Sequence, residues 1–282
     1  MGEFPAETGP SNTTIFNGTR DDEMSWIQNL YNNRNQFKQA IMGKRVVFHH
    51  VPKCAGTSVS RALRLRYFLS EQSIAAPGTA AVMERQHGPL DFSRLEDFNR
   101  IRTFRVELLH YLMWKDIYFI GGHVPFNNNA YDQFRGYKLI TVLRDPVDRF
   151  ISEYFYNYQR EHQSRISQDF GDYLDSPMGQ RNALKFCEYF CGDTELTLDD
   201  PAKLMEKAKE NLKHFSVIGF TDDMERFESD VRRELGIRVS FGVQNKRTTS
   251  DRKISEIVTP DLREKVAEMC RFDQEVYDAA RP

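Results

Sequence analysis

Within Val51-Pro52-Lys53-Cys54-Ala55-Gly56-Thr57-Ser58 the chain gathers an ammonium, a glycine and two hydroxyls, residue types that together can hold an anion. Gly56 lets the backbone approach a ligand closely, Thr57 and Ser58 add hydroxyl donors, and Lys53 adds a full positive charge. When a helix follows directly, such a loop aims several backbone N–H groups and the positive end of the helix dipole at one point. In the loop that grips nucleoside triphosphates, Gly-x-x-x-x-Gly-Lys-Ser/Thr, the lysine stands immediately before the helix. Here Lys53 stands at the start of the loop instead, which sets the segment apart from that motif. A second candidate anion site is Arg144-Asp145-Pro146 with Ser152. His123, in Ile120-Gly121-Gly122-His123-Val124, is the candidate base. An imidazole with an ordinary pKa of about 6.5 can take a hydroxyl proton at neutral pH. The polar, basic run Gln244-Asn245-Lys246-Arg247-Thr248-Thr249-Ser250-Asp251-Arg252-Lys253 reads first as a solvated loop.

These groups need elements to bring them together. Short apolar runs at Arg45–Val51, Ile117–Ile120, Tyr137–Leu143 and Phe215–Phe220 predict strands. Between them lie helical patterns, among them Leu95, Phe98, Phe104, Leu108, Leu109 and Leu112. The alternation predicts an α/β domain with a central parallel sheet covered by helices on both faces. Lys53 and Gly56 then fall in the turn after the first strand, before a helix with Val59, Ala62, Leu63 and Tyr67 on one face. Arg144 leaves the third predicted strand, Asp145 is a good N-cap and Pro146 suits a first helical position. Val147, Phe150, Ile151, Tyr154, Phe155 and Tyr158 form the apolar stripe of that helix, with Ser152 about two turns in. His123 follows a strand end, the edge where open α/β sheets bind ligands. His49 and His50 point to opposite faces of the first strand: one belongs in the core with a hydrogen bond, and His50 approaches the ligand without a catalytic role. A helix over Asp21–Ile41 precedes the sheet, and a C-terminal helix starting at Thr259-Pro260 carries Leu262, Val266, Met269, Val276 and Tyr277.

The 282 residues fit a flexible leader at 1–20 and one domain at 21–282. With 39 basic and 41 acidic residues the formal charge is −2, so no global field draws the chain to nucleic acid or a membrane, and any anion site is local. Cys54, Cys187, Cys191 and Cys270 are too scattered for a disulfide framework; Cys187 and Cys191 are either weakly bridged or two buried thiols. No run approaches the roughly 20 apolar residues of a membrane helix. The expected compartment is the cytoplasm; the triplets at Asn12 and Asn17 leave open the Golgi lumen, if the chain is a trimmed piece of an anchored enzyme.

Taken together, the loop at Val51–Ser58 and the Arg144-Asp145-Pro146…Ser152 segment resemble the PAPS-dependent sulfotransferases. They are most similar to the Golgi-type carbohydrate branch with the heparan and uronyl 2-O-sulfotransferases and their bacterial relatives. The resemblance runs from about Lys44 to about Ala279, with weaker late elements at Ile218–Asp222 and Asp273…Tyr277. It implies a P-loop-like sulfotransferase fold in which Lys53, Ala55, Gly56, Thr57 and Ser58 hold the 5′-phosphosulfate of 3′-phosphoadenosine 5′-phosphosulfate (PAPS). Arg144 and Ser152 would hold the 3′-phosphate, and Lys246, Arg247 and Arg252 would belong to a basic loop folded over the nucleotide. It also implies His123 as catalytic base and Lys53 as stabiliser of the departing phosphate, with no metal required. The product is 3′,5′-adenosine bisphosphate (PAP), and the acceptor a hydroxyl on a carbohydrate or on a small hydroxylated metabolite. Relatives with two histidines at the base position would carry another at 121 or 122, where this chain has Gly121 and Gly122. A P-loop-type kinase and a catalytically inactive nucleotide-binding module are the competing readings.

Overall fold

The computed structural model describes residues 36, 40–158, 165–242 and 251–281, with no side-chain description at 251–253. By its contacts the chain divides into residues 1–41 and 42–282. Of the first unit, Gln36, Ala40 and Ile41 are described and are helical; the expected leader and most of the expected helix over Asp21–Ile41 lie outside the described residues.

The second unit is built on β1 (Val46–His49), among the described residues the only strand that is buried throughout. It pairs in parallel with β3 (Phe119–Gly122) on one side and β4 (Lys138–Leu143) on the other. With β2 (Glu71–Ile74) outside β3 and β5 (Val217–Phe220) outside β4, the five-stranded parallel sheet has the order β2-β3-β1-β4-β5. Because side chains alternate along a strand, β1 feeds two cores. Val46 and Phe48 pack with Val59 and Leu63 of α1 (Gly56–Arg66) and with Phe227, Val231 and Leu235 of α10 (Met224–Leu235). Val47 joins Leu109 and Met113 of α3 (Leu95–Trp114), Phe186 and Phe190 of α8 (Lys185–Phe190), and Leu204 and Ala208 of α9 (Pro201–Leu212). Full burial of an aliphatic or phenyl side chain contributes about 1.5–3 kcal/mol, so this double covering fixes β1 at the centre.

The apolar runs located four strands, with shifts. β3 begins two residues later than the predicted Ile117–Ile120 and runs through Gly121 and Gly122. β2 has no apolar run, because a half-exposed edge strand of sequence Glu-Gln-Ser-Ile needs none. The predicted C-terminal helix is two: α12 (Pro260–Met269), capped by the Thr259 hydroxyl, and α13 (Arg271–Ala280). Among the described residues no helix is long and apolar enough to cross a membrane, and all four cysteines are free and buried. Cys191 N–H donates to the Cys187 carbonyl at 3.0 Å, so the two thiols sit one helical turn apart along α8.

Candidate active site

Five of the residues singled out from the sequence, Lys53, Ala55, Gly56, Thr57 and His123, line one cleft of about 1720 Å³ at the carboxyl ends of β1 and β3. The turn after β1 is tight: Lys53 has φ 66 and Ala55 φ 56, both left-handed without being glycine. Each such residue costs about 1–2 kcal/mol, a strain that surrounding packing must hold. The result is an α1 whose N-cap, Ala55, supplies no side-chain hydrogen bond and whose first turn holds no acidic residue. The leading N–H groups of α1 therefore have no side-chain cap. The Lys53 ammonium lies 3.8 Å from the ring centroid of Tyr156, which also lines the cleft.

His50, just past β1, ties the loop to His123. A Cβ on Gly56 would fall 1.8 Å from His50 Cδ2 and 2.1 Å from Nε2, so the imidazole lies directly against the first residue of α1 and position 56 must be glycine. His123 is a second neighbour: the two rings stack at 4.3 Å between centroids, 27° apart. His123 Nδ1 is 2.9 Å from the His50 carbonyl oxygen. A carbonyl can only accept, so Nδ1 carries the hydrogen and Nε2 is left as the basic atom. Burial, with Arg105 and Lys185 nearby, lowers the His123 pKa to about 4; burial, His123 and Lys53 push that of His50 well below its ordinary value. His49 faces the other way. It is sealed in the core with Nδ1 3.0 Å from the Val124 carbonyl, and burial lowers its pKa to about 4.

The two glycines before His123 have a steric cause. Gly122 has φ +142, and a Cβ there would fall 2.3 Å from the Ile74 carbonyl oxygen of β2. A second histidine at 122 is impossible in this sheet. The imidazole neighbouring His123 is that of His50, just past β1, instead.

The residues around the 3′-phosphate expectation stand apart from this cleft. Asp145 caps α5 (Pro146–Tyr158) through Oδ1, which accepts from Asp148 N–H at 2.9 Å. Arg144, at the end of β4, lies close enough to the turn to influence the Cys54 thiol, which burial raises to about 12. Arg144, Ser152 and the largely buried Ser58 are not among the residues lining the cleft. Lys246 and Arg247 lie outside the described residues; Arg252 falls in α11 (Asp251–Ile257), its side chain undescribed.

The far wall of the cleft was not singled out from the sequence. Arg105 of α3 donates to the His123 carbonyl at 3.2 Å and to Thr79 Oγ1 at 2.9 Å. Arg181, in α7 (Pro177–Asn182), lies 4.3 Å from the Phe98 ring centroid and donates to the Phe92 carbonyl. Lys185 and Glu188 form a buried ion pair at 2.7 Å. Tyr173 and Tyr189 complete the wall. Of these, Lys185 and Glu188 sit three apart in an otherwise apolar run, Lys185-Phe186-Cys187-Glu188-Tyr189-Phe190, a signal that could have marked α8 as facing a polar site. Among the described residues no group of three His, Cys, Asp or Glu side chains is placed to hold a metal ion.

A family model described as the sulfotransferase family matches residues 42–278. Among solved structures the chain is similar to a sulfotransferase from Alicyclobacillus acidocaldarius, at 14% identity and a TM-score of 0.42, covering 84% of this chain and 96% of that one. None of the curated proteins gives a match.

Proposed function

Starting from the premise that this chain belongs to the sulfotransferase family, we propose that it moves a sulfuryl group from PAPS to a hydroxyl of a carbohydrate acceptor, with His123 as base. One observation carries this reading. The uncapped start of α1, with Lys53 and Gly56, shares a cleft with a histidine whose Nε2 is free to accept a proton. Lys53, Ala55, Gly56, Thr57 and Ser58 take the 5′-phosphosulfate, where the backbone N–H groups and dipole of α1 meet its charge. Arg144 and Ser152 take the 3′-phosphate, and Lys246, Arg247 and Arg252 are further candidates for donor binding.

In the reaction the acceptor oxygen attacks sulfur in line, the bond from sulfur to the bridging phosphate oxygen breaks, and His123 Nε2 takes the hydroxyl proton. PAP leaves with the negative charge on its 5′-phosphate, beside Lys53. Such a transfer depends on placement and electrostatics, and this scheme routes no step through a metal ion. For the acceptor, the far wall supports a sugar. The rings of Phe92, Phe98, Tyr173 and Tyr189 bring apolar surface, and Arg181, Lys185 and Glu188 bring charged groups to the same wall.

Calorimetric titration with PAP and with ATP separates this reading from a kinase: PAP binds in the micromolar range or tighter and ATP at least tenfold more weakly. Incubation with radiolabelled PAPS and a panel of glycans and small hydroxylated compounds then identifies the acceptor. Preference for ATP would overturn the donor assignment. PAP binding with no label transferred to any acceptor, and wild type indistinguishable from His123→Ala, would favour an inactive binding module.

A further inference from the structure

We infer that His50 is a second catalytic imidazole, whose Nε2–H donates a hydrogen bond to the sulfuryl group while it passes from donor to acceptor; this rests on the sulfotransferase reading above. Three observations place it there. Its Nε2 edge lies against Gly56, at the mouth of the α1 N-terminus that receives the 5′-phosphosulfate. Its face stacks on His123, the base that faces the acceptor. Gly56, on the donor side, and His123 therefore both border the same ring.

The third observation is what the ring lacks. Its neighbours are the Phe48 ring at 5.7 Å and His123 at 4.3 Å, and among the described residues neither nitrogen has a hydrogen-bond partner. Neither nitrogen is among the polar atoms sealed from solvent without a partner, so the unused donor opens to the cleft. A buried core histidine normally satisfies its ring, as His49 does on the Val124 carbonyl. Neutrality suits the role. The positive groups near His50 are Lys53 on the loop and, when protonated, His123 just past β3, and they disfavour a second charge on the pair. A neutral imidazole still offers one N–H, while only His123 is oriented to take the proton.

The transition state spreads charge over the sulfuryl oxygens, and removing one such donor elsewhere costs about 10²–10³ in kcat. The experiment measures PAPS breakdown with water as acceptor, by release of PAP and sulfate, together with calorimetric PAP binding. His50→Phe keeps a flat ring on Gly56 and His123 but no N–H. It should lower kcat roughly 100-fold with KM for PAPS and Kd for PAP within about threefold of wild type, and His50→Gln, which restores a donor, should recover at least tenfold of that loss. A His50→Phe enzyme within threefold of wild-type kcat, or one that loses PAP affinity as much as kcat, sinks the assignment and leaves the donor reading standing. Absence of PAP binding in wild type sinks the donor reading itself. If His50→Phe fails to fold by circular dichroism, or wild type binds PAP but water proves too poor an acceptor, ¹⁵N-labelled wild type decides. Addition of PAPS should move the His50 Nε2 resonance, and an unmoved resonance counts against the role.

Discussion

Neutral imidazoles line the centre of the cleft, and the cause is local. His123 is enclosed, its Nδ1–H is held by the His50 carbonyl, and its nearest charges are the cations Arg105 and Lys185, so protonation is disfavoured and the pKa falls to about 4. In the proposed role of base, its Nε2 would stay available well below neutral pH. We predict that kcat/KM for PAPS and a saturating acceptor stays level from pH 8 to about 5 and falls by half near pH 4. A half-point at the ordinary value of about 6.5 would show that the ring is solvated in the working enzyme. His123→Ala should lower kcat by about 10²–10⁴ while PAP binding persists, the range expected for loss of a general base. Of the residues facing the cleft, Lys53, Gly56 and His123 could be read from type and spacing. Arg105 and Arg181 could not, because single charged residues on amphipathic helices look like solvated surface until a third element covers them.

At the scale of elements, the turns that lead into α1 and α5 are built differently. The turn into α1 is strained, with Lys53 and Ala55 left-handed, and the helix start is left without a side-chain cap. The turn into α5 is relaxed, with Asp145 capping and Pro146 at the first helical position. Ala55→Gly should therefore stabilise the protein by up to about 1 kcal/mol, the relieved strain exceeding the added unfolded-state freedom. Asp145→Ala should destabilise it by about 1 kcal/mol through the lost cap. Urea unfolding of both variants checks the pair, and equal effects of the same sign would contradict the contrast. α1 and α5 were legible because a helical apolar stripe follows a strand in each case, reinforced at α5 by the Asp145 cap and Pro146. β2 was not, since its pairing with β3 is made by backbone groups that any sequence carries.

Across the whole molecule, a buried polar tie joins the last helix to the cleft wall. Asp273 of α13 accepts from the N–H groups of Phe186 and Cys187 at 2.8 and 3.0 Å, capping α8. It faces the fully buried Arg149, itself bonded to Glu153 and Asn182. Asp273→Ala should cost roughly 1–3 kcal/mol, because it leaves the buried N–H groups of Phe186 and Cys187 without an acceptor, while Arg149 keeps Glu153 and Asn182. Stability should also depend on pH in a definite sense. His49, His50 and His123 have folded pKa values below the unfolded value of about 6.5, so the unfolded chain binds more protons below that pH. Their contribution is complete above pH 6.5 and is lost as pH falls towards 4, at up to roughly 1.4 kcal/mol per pH unit for each histidine. Burial raises Asp273 to about 6, which acts oppositely: its contribution is present below its unfolded value of about 3.8 and is lost as pH rises through 6. Three histidines outweigh one carboxyl, so the urea midpoint should drop between pH 6.5 and 4, and a flat or rising midpoint would contradict the buried-neutral assignment.

The sequence alone determined the alternation of strands and helices, the parallel sheet, the tight strand-to-helix turn at Lys53–Ser58 and His123 as a group past a strand end. Each of these is local, fixed by apolar periodicity, by turn chemistry or by the residue types inside one short segment. Only the tertiary structure decided which imidazole stands beside His123. That answer depends on the parallel pairing of β1 with β3, which brings positions 73 residues apart into register, and on Ile74 of β2 closing the space beside Gly122. It also gathered Arg105, Arg181 and Lys185 from separate helices into one wall. Pairing and packing across the chain are long-range choices, and no spacing within a segment encodes them.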